Sequence, residues 1–188
     1  MINISVHNNF RRVAIKMFEL RTDVLEKANI RALNKVAAQA KVGASKEIRA
    51  AGYKISAAEI KRKITINKAA HGKMYVTIRC YGKSIPLIRF GARPMKDGVS
   101  VSVKSGRKLI KGAFIATMPS TGHEGVFVRV GKQHKKINGQ WHGLPIKELF
   151  GPSVPAAFGN EVVQEALVRL VRDKYPTILE HEIKFAGR

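Results

Sequence analysis

Apolar residues recur along the first quarter of the chain with the spacing of one helical face. Between Phe10 and about Ala51 there is no proline and a single glycine, Gly43, while Val13, Met17, Leu20 and Val24 follow at steps of four, three and four. Side chains at those steps stack on one side of a helix. The stripe continues through Ala28, Leu33, Ala37, Ala40 and Ala44, whose small side chains suit close approach to another helix or a sheet. Gly52 ends the segment. Ser56-Ala57-Ala58-Glu59 then has the form of a capping box, in which the Ser56 hydroxyl and the Glu59 carboxylate satisfy helix-terminal amides, flanked by Ile55 and Ile60 as an apolar staple.

After Lys63 the period changes to two. Met74, Val76, Ile78 and Cys80 fall on one face of a strand, with Tyr75, Thr77, Arg79 and Tyr81 on the other. Val99, Val101 and Val103 repeat this between Gly98 and Gly106, and Val126, Val128 and Val130 between Gly125 and Gly131; Leu109 to Thr117 reads as one continuously apolar strand. Asn138-Gly139 is a tight-hairpin signal, because both residues tolerate the positive φ of a type I′ turn. The last segment returns to helical spacing, with Val162, Ala166, Leu170 and Ile178 expected inward and Pro176 expected to kink or divide the helix. The pattern predicts one α+β domain over 1–188: a helical arm over 10–52, a central antiparallel sheet of about five or six strands within 63–150, and a C-terminal helix over 154–183 packed on that sheet.

Charge changes the picture more than composition does. The formal net charge is +22, and between Ile60 and Lys147 there are nineteen basic residues against two acidic ones, Asp97 and Glu124. Residues 152–188 hold five basic and five acidic residues, so the excess lies upstream. A field of this sign attracts phosphate backbone, an anionic surface or an acidic protein, although solvated basic residues also serve solubility alone. An apolar fraction of 45% argues against disorder, and no run reaches the roughly eighteen apolar residues that span a bilayer, so no membrane partner is expected. No secretory signal is read at Met1 to Phe10. The single cysteine, Cys80, fits a reducing cytosol and a packing role.

The residues offer little catalytic chemistry. His7, His71, His123, His134, His142 and His181 have no helical metal-pair spacing, and no carboxylate cluster accompanies them, so no metal and no cofactor is expected. His134 and His142 face each other at most across the Asn138-Gly139 hairpin. Ser120 and His123 share a glycine-bounded loop without an elbow motif or a placed acid. Asp97 and Glu124 are too isolated for a two-metal nuclease. Walker, dinucleotide, zinc-finger and RNP signatures are absent, and aromatics at 7% are too sparse for a base-stacking platform. Any DNA contact is then expected at the backbone, without sequence preference.

Two stretches have distinctive wording: Ser84-Ile85-Pro86-Leu87-Ile88-Arg89-Phe90-Gly91-Ala92-Arg93-Pro94, with the segments that follow it to Ala116, and Gly143-Leu144-Pro145-Ile146-Lys147-Glu148-Leu149-Phe150-Gly151-Pro152-Ser153-Val154-Pro155. Together with Arg31-Ala32-Leu33-Asn34-Lys35-Val36-Ala37 they make the chain resemble the minor tail protein Z family of long-tailed bacteriophages and prophages, from about Ala28 to Glu180. The resemblance implies a non-enzymatic tail completion protein in the virion tail at its head-proximal end, present in host cytoplasm during assembly, and required for head-tail joining. Implied partners are other tail or neck proteins, such as tail terminator, tube or head-closure rings, with the chain itself in a homo-oligomeric ring. No catalytic residue carries over. Pro86, Gly91, Gly112, Pro145, Phe150, Gly151 and Pro152 match the family pattern, and backbone geometry is their expected role.

The residues themselves suggest two surfaces. Arg89, Arg93, Lys104, Arg107, Lys108, Lys111, Lys132, Lys135 and Lys136 form the candidate electrostatic surface for DNA or an acidic partner, and Val13, Met17, Leu20 and Val24 the candidate oligomer interface. Composition alone also fits a basic nucleic-acid-binding protein of ribosomal or nucleoid type. An enzyme of phage origin, such as a nuclease, is the third reading.

Overall fold

A computed structural model describes residues 3–5, 22–131, 135–137 and 140–186. The chain divides into two compact units, one of Met1–Ala51, Ser56–Gly82 and Val154–Arg188, the other of Gly52–Ile55 and Lys83–Ser153. It crosses between them four times.

In the first unit, helix α1 (Thr22–Ala50) and helix α4 (Glu161–Ala186) pack against each other. They run antiparallel: Gly43 lies against Leu170, Lys35 pairs with Glu182, and Arg31 sits over the Phe185 ring. The expected alanine stripe is the buried face of α1, with Ala28, Ala32, Ala40 and Ala44 joined by Leu33, Val36, Ala37 and Ile48. Small side chains let the partner backbone approach, and at Gly43 even a methyl group would come within 2.7 Å of Leu170 Cδ1. The part of the predicted arm before Thr22, with Val13, Met17 and Leu20, lies outside the described residues; Val24 is half-buried.

On α4 the inward line is displaced by one residue from the expected one. Val163, Leu167, Val171, Tyr175, Leu179 and Ile183 are buried, whereas Val162 is 67% exposed and Ala166, Leu170 and Ile178 are half-buried. Apolar residues stand side by side at 162/163, 166/167, 170/171 and 178/179, so spacing alone allows either line, and the packed neighbour selects the second. Nor does Pro176 divide the helix. The carbonyl it cannot bond belongs to Arg172, and both residues are exposed, so the carbonyl is not left buried without a donor.

Helix α2 (Ala57–Lys63) begins as expected, with the Glu59 amide donating to Ser56 Oγ at 3.2 Å, and Ile60 is buried. Strands β1 (Asn3–Ser5), β2 (Ile64–Asn67) and β3 (Thr77–Cys80) form a sheet in the order β1-β3-β2, and a short helix α3 (Val154–Phe158) buries Phe158. Val76 and Ile78 meet Leu33, Val36 and Ala37 of α1 and Val171 and Tyr175 of α4, so the C-terminal helix packs on α1 and on this sheet. Cys80 is buried, and burial pushes its thiol up to about 11, consistent with packing and against nucleophilic use.

The second unit carries the other strands. They are divided among small antiparallel sheets: β13 (Phe150–Ser153) with β4 (Ser84–Pro86); β5 (Arg93–Met95), β6 (Gly98–Val101) and β7 (Lys108–Lys111) in that order; β8 (Ala113–Thr117), β9 (Glu124–Arg129) and β12 (Ile146–Glu148) in the order β12-β9-β8; and the hairpin β10 (Lys135–Ile137) with β11 (Gln140–His142). Thus the α+β class holds, while the strands do not join in one sheet. The apolar run Leu109 to Thr117 shows why. Gly112 takes φ of +70°, a conformation costly for other residues, and turns the chain so that β7 and β8 enter different sheets. Ile137 pairs with Gln140 as the Asn138-Gly139 hairpin requires, although those two turn residues lie outside the described residues. Val99, Val101 and Val126 are buried as their alternation predicts, whereas Val130 is exposed.

Candidate interaction surface

Directly opposed residues of a sheet share a face, which sorts the basic residues of β5-β6-β7. Arg93 pairs with Ser100 and Ser100 with Leu109; Met95 pairs with Gly98 and Gly98 with Lys111. One face therefore carries Arg93, Met95, Leu109 and Lys111, all exposed. The opposite face carries Val99 and Val101, which are buried, with half-buried Ile110 and with Lys108 at its exposed end. This sheet is basic and apolar on one side and core-forming on the other.

The loop joining β6 to β7 is held by Arg107. Its Nε donates to Ser100 Oγ at 3.0 Å, and one terminal nitrogen donates to the Ser100 carbonyl at 2.7 Å and to the Gly91 carbonyl at 2.8 Å. Ser102 Oγ donates to the Gly106 carbonyl at 3.0 Å, closing the turn. Lys104, at the loop tip, lies 5.2 Å from the centroid of the Tyr53 ring. Arg107 therefore acts first as a tether, and Lys104, Lys108 and Lys111 supply the solvated charge. Arg89 is exposed in a 3₁₀ turn, Leu87–Phe90, two residues before the Gly91 carbonyl that Arg107 holds. Lys135 and Lys136 lie in β10, paired with His142 and Trp141, and Lys132 lies outside the described residues.

Between β7 and β13 lies a groove of about 730 Å³ that sequence reasoning missed. Leu87, Val101 and Phe150 give it apolar walls, and Lys104, Arg107, Lys108 and Lys111 are its cations; none of its lining residues is acidic. Gly151 allows this wall to form, because a Cβ there would stand 2.6 Å from the Phe90 ring. Phe150 is 51% exposed. The Pro-Ile-Lys-Glu-Leu-Phe-Gly-Pro-Ser wording marked the segment, but nothing in the spacing of residues 87, 101–111 and 150–152 announces that they meet.

One polar pair departs from expectation. His123 Nε2 is 2.8 Å from Glu148 Oε1, so an acid does stand beside this histidine, carried by β12 next to β9. Both ends are reachable by solvent, and among the described residues no hydrogen bond joins Ser120 to His123 and no three His, Cys, Asp or Glu side chains gather as a metal site.

These features define a basic α+β protein whose distinctive surface is a cation-rimmed sheet edge. The chain belongs to the prophage minor tail protein Z (GPZ) family, whose profile matches residues 12–188. No curated protein and no solved structure matches it. Membership supports a structural role in the phage tail, implies a location in the virion tail and suggests contacts with other tail proteins. No helix among the described residues is long and apolar enough to cross a membrane.

Proposed function

We propose that this protein is a non-enzymatic component that completes the head-proximal end of the tail and is required for head-tail joining, acting as a homo-oligomeric ring in contact with neighbouring rings. The observation that carries the reading is the family match over residues 12–188, and the second unit's 14 basic residues against 3 acidic ones support it. Closed rings need heterologous contacts that repeat by rotation, and a subunit near the DNA path or an acidic ring gains from a positive face. The basic residues around β5–β7 are the proposed polyanion contact, indifferent to base sequence because they reach only backbone charge.

Deletion and complementation test this reading. Phage made without the protein are expected to fill heads and to polymerise tails of normal length, yet yield few infectious particles, with recovery from a plasmid-borne copy. Normal infectious yields without the protein would refute it. Truncation before Val154 is a poor probe, since it removes α4 from the buried face of α1. Reversal of Lys104, Lys108 and Lys111 to glutamate leaves that packing intact.

A further inference from the structure

The groove beside β7 has a property that its charge alone does not give. The Gly112 amide donates to the Asp97 carbonyl at 3.0 Å, and Gly98 pairs with Lys111, Val99 with Ile110, Ser100 with Leu109 and Val101 with Lys108. In an antiparallel ladder hydrogen-bonded pairs alternate with non-bonded ones. The bonded pairs here are then 97 with 112, 99 with 110 and 101 with 108. Leu109 and Lys111 consequently turn their backbone N–H and C=O groups away from β6. β7 is the last strand of its sheet, and among the described residues no backbone bond closes that side. An open edge of this kind is a template for another strand.

We propose that the edge of β7 and the groove between it and Phe150–Pro152 bind an extended acidic segment of a neighbouring tail protein, added as a strand beside β7. Three observations choose this occupant. The outward amides and carbonyls of Leu109 and Lys111 need a partner with both donors and acceptors, which a peptide backbone has and a phosphate backbone lacks. The accessible apolar lining, exposed Phe150 with half-buried Val103, Ile110 and Pro152, takes alternate apolar side chains, for which a DNA backbone has no counterpart. Lys104, Lys108 and Lys111, with no acidic residue in the lining, favour carboxylates at the intervening positions and disfavour a second copy of this strongly basic chain. The segment engaged is on the order of five residues, a common strand length. This inference rests on the tail-assembly reading only for the source of the segment.

The test uses the full chain and a fluorescein-labelled synthetic peptide of alternating valine and glutamate, in three forms: unmodified, and N-methylated at alternate residues in either register. The unmodified peptide is expected to bind saturably by fluorescence anisotropy. One N-methylated register is expected to bind at least tenfold more weakly while the other is spared, and the Leu109 and Lys111 amides are expected to exchange more slowly with peptide bound. Leu109→Pro removes one outward N–H without touching the β6 ladder and is expected to weaken the peptide about tenfold. Should circular dichroism show that variant unfolded, the N-methylated pair and the amide exchange decide alone. Equal binding of all three peptides, or a DNA duplex that protects the same two amides as well as the peptide does, would overturn the proposal, as would protection of those amides by self-association without peptide. Peptide binding that fails while plasmid complementation succeeds removes the groove and leaves the tail role standing. Intact peptide binding with normal phage yields in the deletion does the reverse.

Discussion

The two units of this protein solve different problems with different residues. In the first, two helices of 29 and 26 residues bury continuous apolar lines against each other. Of the twelve largest fully buried side chains among the described residues, ten belong to that unit and only Val99 and Val126 to the second. The second unit instead spends its sequence on strands of three to six residues, lysine-rich turns and an uncovered edge. Cohesion is therefore concentrated in the first unit, whereas net charge is shared equally, +11 on each, and is denser on the second unit, which has 14 basic residues against 3 acidic ones. Self-repulsion of clustered lysines opposes compaction, and the second unit, with few acidic residues to offset them, has the smaller core to set against it.

The sharpest way to break this comparison is through the cores. Phe158→Ala is expected to destabilise the protein by about 3–5 kcal/mol, and Ile48→Ala by about 2–5 kcal/mol, measured by denaturant melts. Val99→Ala in the second unit, which removes less buried volume, is expected to cost roughly 1–3 kcal/mol. A larger loss at Val99 than at Phe158 would invert the assignment of cohesion.

A second test lies at Glu182, the buried carboxylate of the helix pair among the described residues. Glu182 is 2% exposed, and its hydrogen bond from Lys35 holds its carboxyl below the ordinary range, although burial pushes it the other way. Lys35→Ala is expected to cost about 1–3 kcal/mol near neutral pH by leaving a buried charge without its partner. The sign with pH follows. A depressed carboxyl stabilises the fold above its unfolded value of about 4.3 and that contribution fades as pH falls through the native value. Without Lys35 the largest lowering influence is gone, while burial still raises the carboxyl and the charges of His181 and Arg31 still lower it, so acidification removes less stability from the variant. The stability difference between the two proteins should shrink between pH 6 and pH 3; a constant difference would show that the pair does not titrate with folding.

Smaller effects separate tether from charge in the second unit. Arg107→Lys is expected to loosen the loop by about 1 kcal/mol, because an ammonium cannot reproduce the planar fork that serves two carbonyls and a hydroxyl. Lys108→Glu with Lys111→Glu should leave stability within about 0.5 kcal/mol, since both are solvated. The same pair should weaken DNA duplexes of unrelated sequence equally and flatten the dependence of binding on salt. Loss of affinity for one sequence only would point to base recognition.

Much of this was legible in the sequence where the signal is local. The Ser56 cap, the alanine face of α1 and the alternating valines of β6 are written in neighbouring residues, and each formed. The line on α4 was legible only to within one residue, because adjacent apolar positions make two equally good stripes and a distant helix decides between them. Joining the strands into one sheet failed to anticipate Gly112, where a single backbone angle separates β7 from β8. The groove was illegible for the same reason on a larger scale. Its walls come from residues 87, 101–111 and 150–152, and the unpaired edge is a matter of hydrogen-bond parity, which no side-chain pattern records.

The placement of α4 also sets a timetable. Ala50 closes α1, and Glu161 opens the helix that covers its apolar face, with 110 residues between them. At about 5–20 residues per second of synthesis, that face waits roughly 5–20 s for its cover. Within that interval nearly all of the second unit emerges, so the cationic strands are able to form before the helical pair is complete. A nascent chain of this protein thus completes its strand-rich second unit before its main source of cohesion, which makes the interval before α4 appears the period of greatest exposure to aggregation.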